Sequence, residues 1–346
     1  MNTEPSLREA VDSGSPALVE AVLQDEVLWY QRRSELLEMR DLARHWHTTG
    51  AEAELRRRTG AEGAVARTRV QDGEFHYVDE LSLGGLTVRD GHAAILTYLE
   101  PKLCIRTSFE ELMERALAHP DQEHAVWAQS TILLAHRRDQ ETWKAAVALR
   151  GHADPIHRLF GAEVARLTHL FDGSEEDPFA GPALELFVDW SSQENDVGVL
   201  TQVLAGVSEH GDPRADAALL PYAGHPDVRI RRAVASGFNR WVPAFSAAAR
   251  EALLAHMTDP DSMVRELACR TVADAKDRDP ALADAMAALL GDAEPEVRGA
   301  AVYGLARHDD ERCVAGARDL RPVPPGSALE HYLDQVWRYE MRRDGR

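Results

Sequence analysis

Arginine and tryptophan are grouped in one short segment of the C-terminal half of the chain. Arg231 and Arg232 are followed about two helical turns later by Arg240 and Trp241. Side chains of these two types carry a large share of the binding energy at protein interfaces, because each combines a wide contact surface with hydrogen-bond donors. We therefore take these four residues as the candidate binding site. In the alternative interpretation, Trp241 is a core residue and the arginines form a solvated helix face.

Histidine is the commonest metal ligand in proteins, and the chain contains 15 histidines. His45 and His47 could share a metal only in an extended segment, because side chains two residues apart point in different directions on a helix. The pattern around them favours a helix. Two further pairs are spaced by five residues, which suits a hairpin turn better than one metal: His119 with His124, and His152 with His157. We expect no metal site.

The sequence contains none of the short motifs by which many enzymes are recognised. No glycine-rich phosphate loop, nucleophile elbow or Ser-His-Asp grouping is found. Cys104, Cys269 and Cys313 are far apart and form no CxxC pair, so neither a zinc knuckle nor a disulfide framework is indicated. We expect a non-enzymatic protein without a cofactor. An active site assembled from single residues of successive helices is the alternative.

The overall charge bears on the class of partner. Lys and Arg number 39 against 58 Asp and Glu, which gives a net charge of −19 and a pI near 5.2. The negative electrostatic field of such a chain repels the phosphate backbone of nucleic acids, unless basic residues are gathered on one face. Nucleic acid is therefore not the expected partner. The sequence has neither a signal-peptide pattern nor a run of about 18 apolar residues. We therefore expect a cytoplasmic protein that does not bind membranes.

A short sequence motif recurs in the second half of the chain and defines a repeat. It reads Pro226-Asp227-Val228-Arg229, then Met263-Val264-Arg265 after Asp259-Pro260, then Pro295-Glu296-Val297-Arg298. Val264 follows Val228 by 36 residues, and Val297 follows Val264 by 33. At this period one helical hairpin stacks on the next, because no hairpin can bury its apolar face alone. The repeat therefore predicts an all-α fold, an α-solenoid.

The boundaries of the repeated helices are marked by residues that begin and end helices. Asp-Pro pairs supply a cap and a tolerated first helical residue, and Gly suits the position after a helix end. Weaker copies lie upstream, with Ile156 and Val197 in the place of Val228 and a first copy from His119. We predict about six hairpins in residues 105–320, followed by a polar capping helix in residues 321–346.

These motifs resemble the short bacterial form of the HEAT repeat. In that family the Arg of the Val-Arg motif commonly pairs with Asp residues in the turns along the stack. The resemblance implies a HEAT-like superhelix and a ladder of Arg229, Arg265 and Arg298 with four turn carboxylates: Asp227, Asp259, Asp261 and Asp292. The copy at Val197 has Gly198 where the Arg should be, so a break or bend in the ladder is expected there.

Residues 1–104 differ from the repeats and form a predicted N-terminal helical region. The segments SLREAVDSGSPALVEAVLQ from Ser6 and LTVRDGHAAILTYLE from Leu86 resemble the paired short helices of ankyrin repeats, although neither has the TPLH turn. A long amphipathic stretch that is foreign to ankyrin repeats lies between them, and an irregular helical cap is the alternative. Residues 67–70 and 75–78 alternate around Gln71-Asp72-Gly73, which predicts a short β-hairpin.

We expect an interaction scaffold that binds a protein or peptide through the concave face of the superhelix, in an adaptor, regulator or immunity-type role. The second helices of the hairpins are expected to line that face, and an acidic protein suits a basic partner. The alternative is a HEAT-like enzyme, such as a DNA alkylpurine glycosylase or a phycobilin-lyase-like protein. A glycosylase needs a basic groove with aromatic residues, which the acidic composition disfavours. The sequence does not predict the oligomeric state.

Overall fold

The computed structural model describes residues 5–23, 32–171, 177–239, 242–323 and 326–343. Within this part of the chain, the protein forms 19 α-helices and one three-stranded antiparallel sheet. The chain divides into two compact units, residues 1–173 and residues 174–346. The fold is mostly helical and repetitive, as predicted, but the sheet in the N-terminal unit shows that it is not purely all-α.

The N-terminal unit begins with two short helices, α1 (Leu7–Ser13) and α2 (Pro16–Val22). Gly14 follows α1 with φ 73°, a left-handed conformation that glycine adopts without steric cost. A Cβ on Gly14 would lie 1.8 Å from the carbonyl oxygen of Arg89, so only glycine fits this turn. The side chain of Ser15 caps the start of α2. These two helices are the pair that the sequence predicts at the N-terminus.

Three longer helices follow in this unit: α3 (Arg33–Thr49), α4 (Ala51–Thr59) and α5 (His92–Lys102). Gly50, with φ 85°, separates α3 from α4. Apolar side chains of α1, α2, α3 and α5 form one buried cluster. Burial of this cluster is the main source of stability for the region, because it removes apolar surface from water.

The sheet consists of β1 (Ala66–Gln71), β2 (Tyr77–Leu83) and β3 (Leu86–Arg89), in that order. Val70 of β1 pairs with Val78 of β2 in the antiparallel register. This pairing confirms the predicted β-hairpin around Gln71-Asp72-Gly73.

The predicted helical pair from Leu86 is wrong in its first half. Residues 86–89 form β3, and helix begins only at His92. Gly84 and Gly85, with φ 58° and 82°, make the two-residue turn that joins β2 to β3. That turn lets Val88 pair with Leu81 and join it in a buried cluster, which a helix at this place would not allow.

The remaining helices of the described chain form seven hairpins, of which two lie in the N-terminal unit. These two are α6 (Phe109–Leu117) with α7 (Ala125–His136), and α8 (Gln140–Ala148) with α9 (Pro155–Leu170). The C-terminal unit has α10 (Ala180–Ser191) with α11 (Val197–Ser208), α12 (Pro213–Leu219) with α13 (Val228–Gly237), α14 (Ala247–His256) with α15 (Ser262–Asp274), α16 (Pro280–Ala288) with α17 (Pro295–Arg307), and α18 (Arg312–Asp319) with α19 (Ala328–Arg343). The first six correspond to the predicted hairpins, and the predicted terminal helix is α19, which pairs with α18.

The second helices of the C-terminal unit pack in series, from α11 through α13, α15 and α17 to α19. Small residues permit this close approach. A Cβ on Gly299 of α17 would lie 2.5 Å from Leu329 and 2.8 Å from the Tyr332 ring of α19, so a larger residue there would displace these side chains. Asp196, Asp227 and Asp261 cap the starts of α11, α13 and α15 by accepting backbone N–H groups of the first turn.

Within the described ranges, no helix combines the length and the apolar character needed to span a membrane.

Candidate interaction surface and histidine cluster

An arginine ladder ties adjacent repeats of the C-terminal unit together. Arg231 of α13 binds Asp259 in the turn before α15, with Nε–Oδ2 and Nη2–Oδ1 distances of 2.8 and 3.0 Å. Arg265 of α15 binds Asp292 before α17 in the same two-point manner, with both distances 2.8 Å. These four side chains are at most 15% exposed. Shielding from water strengthens such charge-assisted hydrogen bonds, which hold the turns in register.

Each ladder arginine also binds the turn of its own repeat. The Nη1 group of Arg231 donates to the carbonyl oxygens five and six residues earlier. Arg158, Arg265 and Arg298 donate to the equivalent pair of carbonyl oxygens. The ladder position is therefore the sixth residue after the first residue of the turn.

This spacing corrects the predicted register of the repeat around Val228. Alignment of the repeats on the Val-Arg motif predicts Arg229 as the ladder residue. Arg229 instead pairs with Asp227 of its own turn at 2.8 Å, and its side chain is 59% exposed. Ile230 is fully buried and takes the core position, so the next residue, Arg231, takes the ladder position. Arg229 and Asp227 therefore do not connect neighbouring repeats.

The other residues predicted to form the ladder make different contacts. Asp261 binds Arg232 of the preceding repeat, with Nε–Oδ1 and Nη2–Oδ2 distances of 2.9 and 2.7 Å. The hydrogen bonds from Arg232 hold the pKa of the Asp261 carboxyl below its usual range. Among the described residues, Arg298 binds only carbonyl oxygens and no carboxylate.

The repeat that begins at Glu194 has no ladder arginine. Glu194 accepts the N–H of Asp196, as the first residue of a turn does elsewhere in the repeats. Leu200 lies six residues after Glu194 and is buried in the core. The ladder is thus interrupted in this repeat, as predicted, but the substituted position is Leu200 and not Gly198.

Of the four residues predicted as a binding site, the two that the structure describes are paired with carboxylates. Arg231 and Arg232 are both held by carboxylates of the next repeat, Asp259 and Asp261. Arg240 and Trp241 lie outside the described residues.

A different surface of the C-terminal unit combines aromatic rings with arginines. The ring of Tyr303 on α17 lies 5.3 Å from that of Tyr332 and 6.0 Å from that of His331, both on α19. The Tyr303 hydroxyl donates to Asp274 of α15 at 2.9 Å, and the Tyr332 hydroxyl lies 3.4 Å from Glu266. We call this surface the second-helix face and define it by eight residues: Met263, Glu266, Arg270, Asp274, Tyr303, Arg307, His331 and Tyr332.

Two arginines of the second-helix face are only loosely paired within the described chain. Arg270 Nη1 lies 4.0 Å from Glu266, and Arg307 Nη2 lies 4.0 Å from Asp274, both too far for a hydrogen bond. The Arg270 and Arg307 side chains are 52% and 43% exposed. Unlike the ladder arginines, they present guanidinium donors to solvent.

The tyrosines of this face stay protonated at neutral pH. Burial raises the pKa of Tyr332 to about 12, and burial together with the hydrogen bond to Asp274 raises the pKa of Tyr303. A protonated hydroxyl can donate a hydrogen bond, so Tyr303 acts as a donor towards Asp274 and Tyr332 towards Glu266.

The described residues contain one group of three whose side chains could hold a metal ion: Asp90, His119 and His124. Asp90 Oδ1 lies 3.1 Å from His124 Nε2, and Asp90 Oδ2 lies 3.7 Å from His119 Nδ1. The spacing of five residues does bring the two histidines together, with their ring centroids 4.1 Å apart. His152 and His157 stack in the same way at 3.9 Å, which marks this contact as a feature of the turns.

The hydrogen bonds of His124 oppose metal binding in this arrangement. Its Nδ1 accepts the N–H of Val126 at 3.2 Å and thereby caps α7. Nε2 must then carry the ring proton, which it donates to Asp90, and it has no lone pair left for a metal. The rings of His119 and His124 are also nearly parallel, at 11°, so their in-plane lone pairs cannot meet at one ion.

A cavity of about 560 Å³ lies beside this cluster and is lined by Trp46, His47, His92 and His119, among others. Burial lowers the pKa of His92 to about 3 and that of His119 to about 4, so both rings are neutral at physiological pH. Trp46 stacks on His92 at 4.7 Å, and Arg58 lies over the Trp46 ring at 4.4 Å. This part of the wall is therefore fixed by core packing.

The predicted helical placement of His45 and His47 is confirmed, since both lie in α3. His45 Nε2 lies 3.3 Å from the buried carboxylate of Glu54, whereas His47 lines the cavity. The two imidazoles face different surroundings, as a spacing of two residues on a helix requires.

The comparisons with known proteins place HEAT repeats at residues 250–323. No curated protein matches the chain. Among solved structures, YibA from E. coli is 15% identical with a TM-score of 0.47, over 67% of this chain and 93% of its own. Human deoxyhypusine hydroxylase, in complex with glycerol, is 15% identical with a TM-score of 0.29, over 71% of this chain and 89% of its own.

The segment that matches HEAT repeats contains α15, α16, α17 and α18, together with the Arg265–Asp292 pair. Residues 250–323 are therefore identified as HEAT repeats.

Proposed function

We propose that this protein is a non-enzymatic scaffold that binds a partner protein or peptide through the second-helix face of its C-terminal unit. The observation that carries the proposal is the half-buried Tyr303 and the exposed His331, which pack against the buried Tyr332 and lie beside the exposed Arg270 and Arg307. Tyrosine and arginine are enriched in the centres of protein interfaces, where they contribute most of the binding energy. An adaptor or regulatory role is the activity that such a face supports.

The packing of the unit favours binding by this face. The second helices pack in series, and the ladder pairs Arg231–Asp259 and Arg265–Asp292 fix neighbouring repeats to each other. A surface held in one shape before the partner arrives loses little conformational entropy on binding. Met263, which is 42% exposed on α15, adds apolar contact area at the same face.

The test compares two double variants in a pull-down from native lysate. Met263→Glu with His331→Glu places two carboxylates on the second-helix face. Ala248→Glu with Ala281→Glu makes the same change in charge at exposed positions of the first helices α14 and α16. We expect the first pair to reduce retention of the partner at least tenfold, through added repulsion and lost contact, and the second pair to leave it unchanged.

Thermal unfolding followed by circular dichroism serves as the folding control, because exposed substitutions of this kind usually change stability by less than about 0.5 kcal/mol. Equal retention by the wild type and by a correctly folded Met263→Glu, His331→Glu variant would exclude the second-helix face as the binding surface.

A further inference from the structure

We infer that the segment bound by the second-helix face is acidic, and that Arg270 and Arg307 receive its carboxylates. The inference rests on the proposed function, since it names the chemistry of the partner for the same face. It starts from the Nη donors of these two arginines, since the Nε of Arg307 already donates to the carbonyl oxygen of Ala273 at 3.5 Å. Neither has a carboxylate within hydrogen-bonding distance in the described part of the chain.

The charges of the face are arranged in two layers. The carboxylates of Glu266 and Asp274 lie deeper, with their side chains 13% and 32% exposed. Asp274 accepts a hydrogen bond from the Tyr303 hydroxyl, and the Tyr332 hydroxyl approaches Glu266. The arginines are the more exposed partners in both pairs. A ligand that approaches this face therefore meets guanidinium groups first.

The aromatic residues complete the recognition surface. Tyr303 lies within the electrostatic reach of both Arg270 and Arg307, and the Arg307 guanidinium carbon is 5.9 Å from the centre of the Tyr303 ring. An aromatic ring beside an arginine helps to hold its guanidinium group in one orientation. A guanidinium group held in this way can bind a carboxylate through two parallel hydrogen bonds. We therefore expect acidic residues interspersed with apolar or aromatic ones in the partner segment.

A basic segment fits the face less well, although the net charge of −19 favours a basic partner at long range. A basic segment would have to reach the deeper carboxylates, of which Asp274 is already hydrogen-bonded to Tyr303, and pass two exposed cations. Contact chemistry at the face and the long-range field therefore predict opposite partners, and a selection experiment can distinguish them.

The probe is a phage-displayed library of random dodecapeptides, selected against the full chain. Enriched peptides are then measured by fluorescence anisotropy against Arg270→Ser with Arg307→Ser. The matched control is Arg8→Ser with Arg318→Ser, which removes the same charge from exposed positions on α1 and α18. We expect the enriched peptides to be acidic, to bind the control as tightly as the wild type, and to lose at least tenfold in affinity for the Arg270, Arg307 variant.

The remaining outcomes separate the two proposals. Neutral or basic peptides that lose binding to the Met263→Glu, His331→Glu variant would overturn the acidic partner and support the face itself. Peptides that bind every variant equally, or a selection that enriches nothing, would count against both.

Discussion

Arg265 and Asp292 lie 27 residues apart in the chain and form a two-point ion pair, with both N–O distances 2.8 Å. The same guanidinium donates through Nη1 to the carbonyl oxygens of Asp259 and Pro260. One side chain thus joins the turns of two consecutive repeats. Replacement of Arg265 would leave both a shielded carboxylate and two carbonyl groups without their donor.

We expect Arg265→Ala to lower the free energy of unfolding by roughly 1–3 kcal/mol, because shielded polar groups are costly to leave unpaired. Arg229→Ala is the matched control. Its exposed pair with Asp227 stays within one turn, so its loss should lower the free energy of unfolding much less than the loss of Arg265 does. Urea unfolding measures both, and equal midpoints for the two variants would contradict the ladder.

A fall in pH should destabilise the N-terminal unit through its buried histidines. Burial lowers the pKa of His92 to about 3 and that of His119 to about 4 in the folded chain, whereas an unfolded histidine titrates near 6.5. The unfolded chain therefore takes up protons first as the pH falls. The contribution of these histidines to the free energy of unfolding should be complete above about pH 6.5 and should decrease as the pH falls from there towards 4.

Urea unfolding at pH 7.5, 5.5 and 4.5 measures this dependence. His119→Asn removes one of the rings whose pKa is lowered by burial, so the free energy of unfolding of this variant should depend less steeply on pH over that range. An identical pH dependence in the wild type and in His119→Asn would show that this histidine is not linked to folding.

The Asp90–His119–His124 cluster should not bind zinc tightly. The Nδ1 of His124 is occupied by the Val126 N–H, and the two rings are parallel, so binding would require both the loss of a helix cap and the rotation of a ring. We expect Zn²⁺ at tens of micromolar to leave the thermal midpoint unchanged, within about 1 °C. A zinc-dependent increase that disappears in His119→Ala would instead establish a metal site.

Duplex DNA should not bind at physiological salt. The arginines of α13 are paired with carboxylates, Arg229 with Asp227, Arg231 with Asp259 and Arg232 with Asp261. Paired cations release few counterions from DNA, and the net charge of −19 adds long-range repulsion. Fluorescence anisotropy with a labelled duplex checks this, and a sub-micromolar, salt-sensitive complex would revive the glycosylase alternative.

The helical repeats could be predicted from the sequence because caps and periodic apolar residues are local signals. Asp227 and Asp261 cap the helices that the pattern indicated. The register of one repeat could not be predicted in the same way. Arg229 and Arg231 are both compatible with the motif, and only the burial of Ile230 shows which one reaches the next turn.

The groupings that involve distant residues escaped prediction for a different reason. Asp90 joins His119 and His124 through the packing of three elements, and no local spacing records that contact. Tyr303 and Tyr332 come together because α17 packs on α19, across an intervening helix. The strand at Leu86 was missed because its pairing with β2 depends on the Gly84-Gly85 turn, while its residues alone also fit a helix.

The central claim is that the second-helix face contacts the partner, and site-specific photocrosslinking tests it most directly. A photoreactive phenylalanine analogue is placed either at Met263, on this face, or at Ala281, on the first helix α16. We predict that irradiation in native lysate links the partner to the chain labelled at position 263 and not to the chain labelled at position 281. Crosslinking at position 281 alone would place the partner on the first helices and contradict the account.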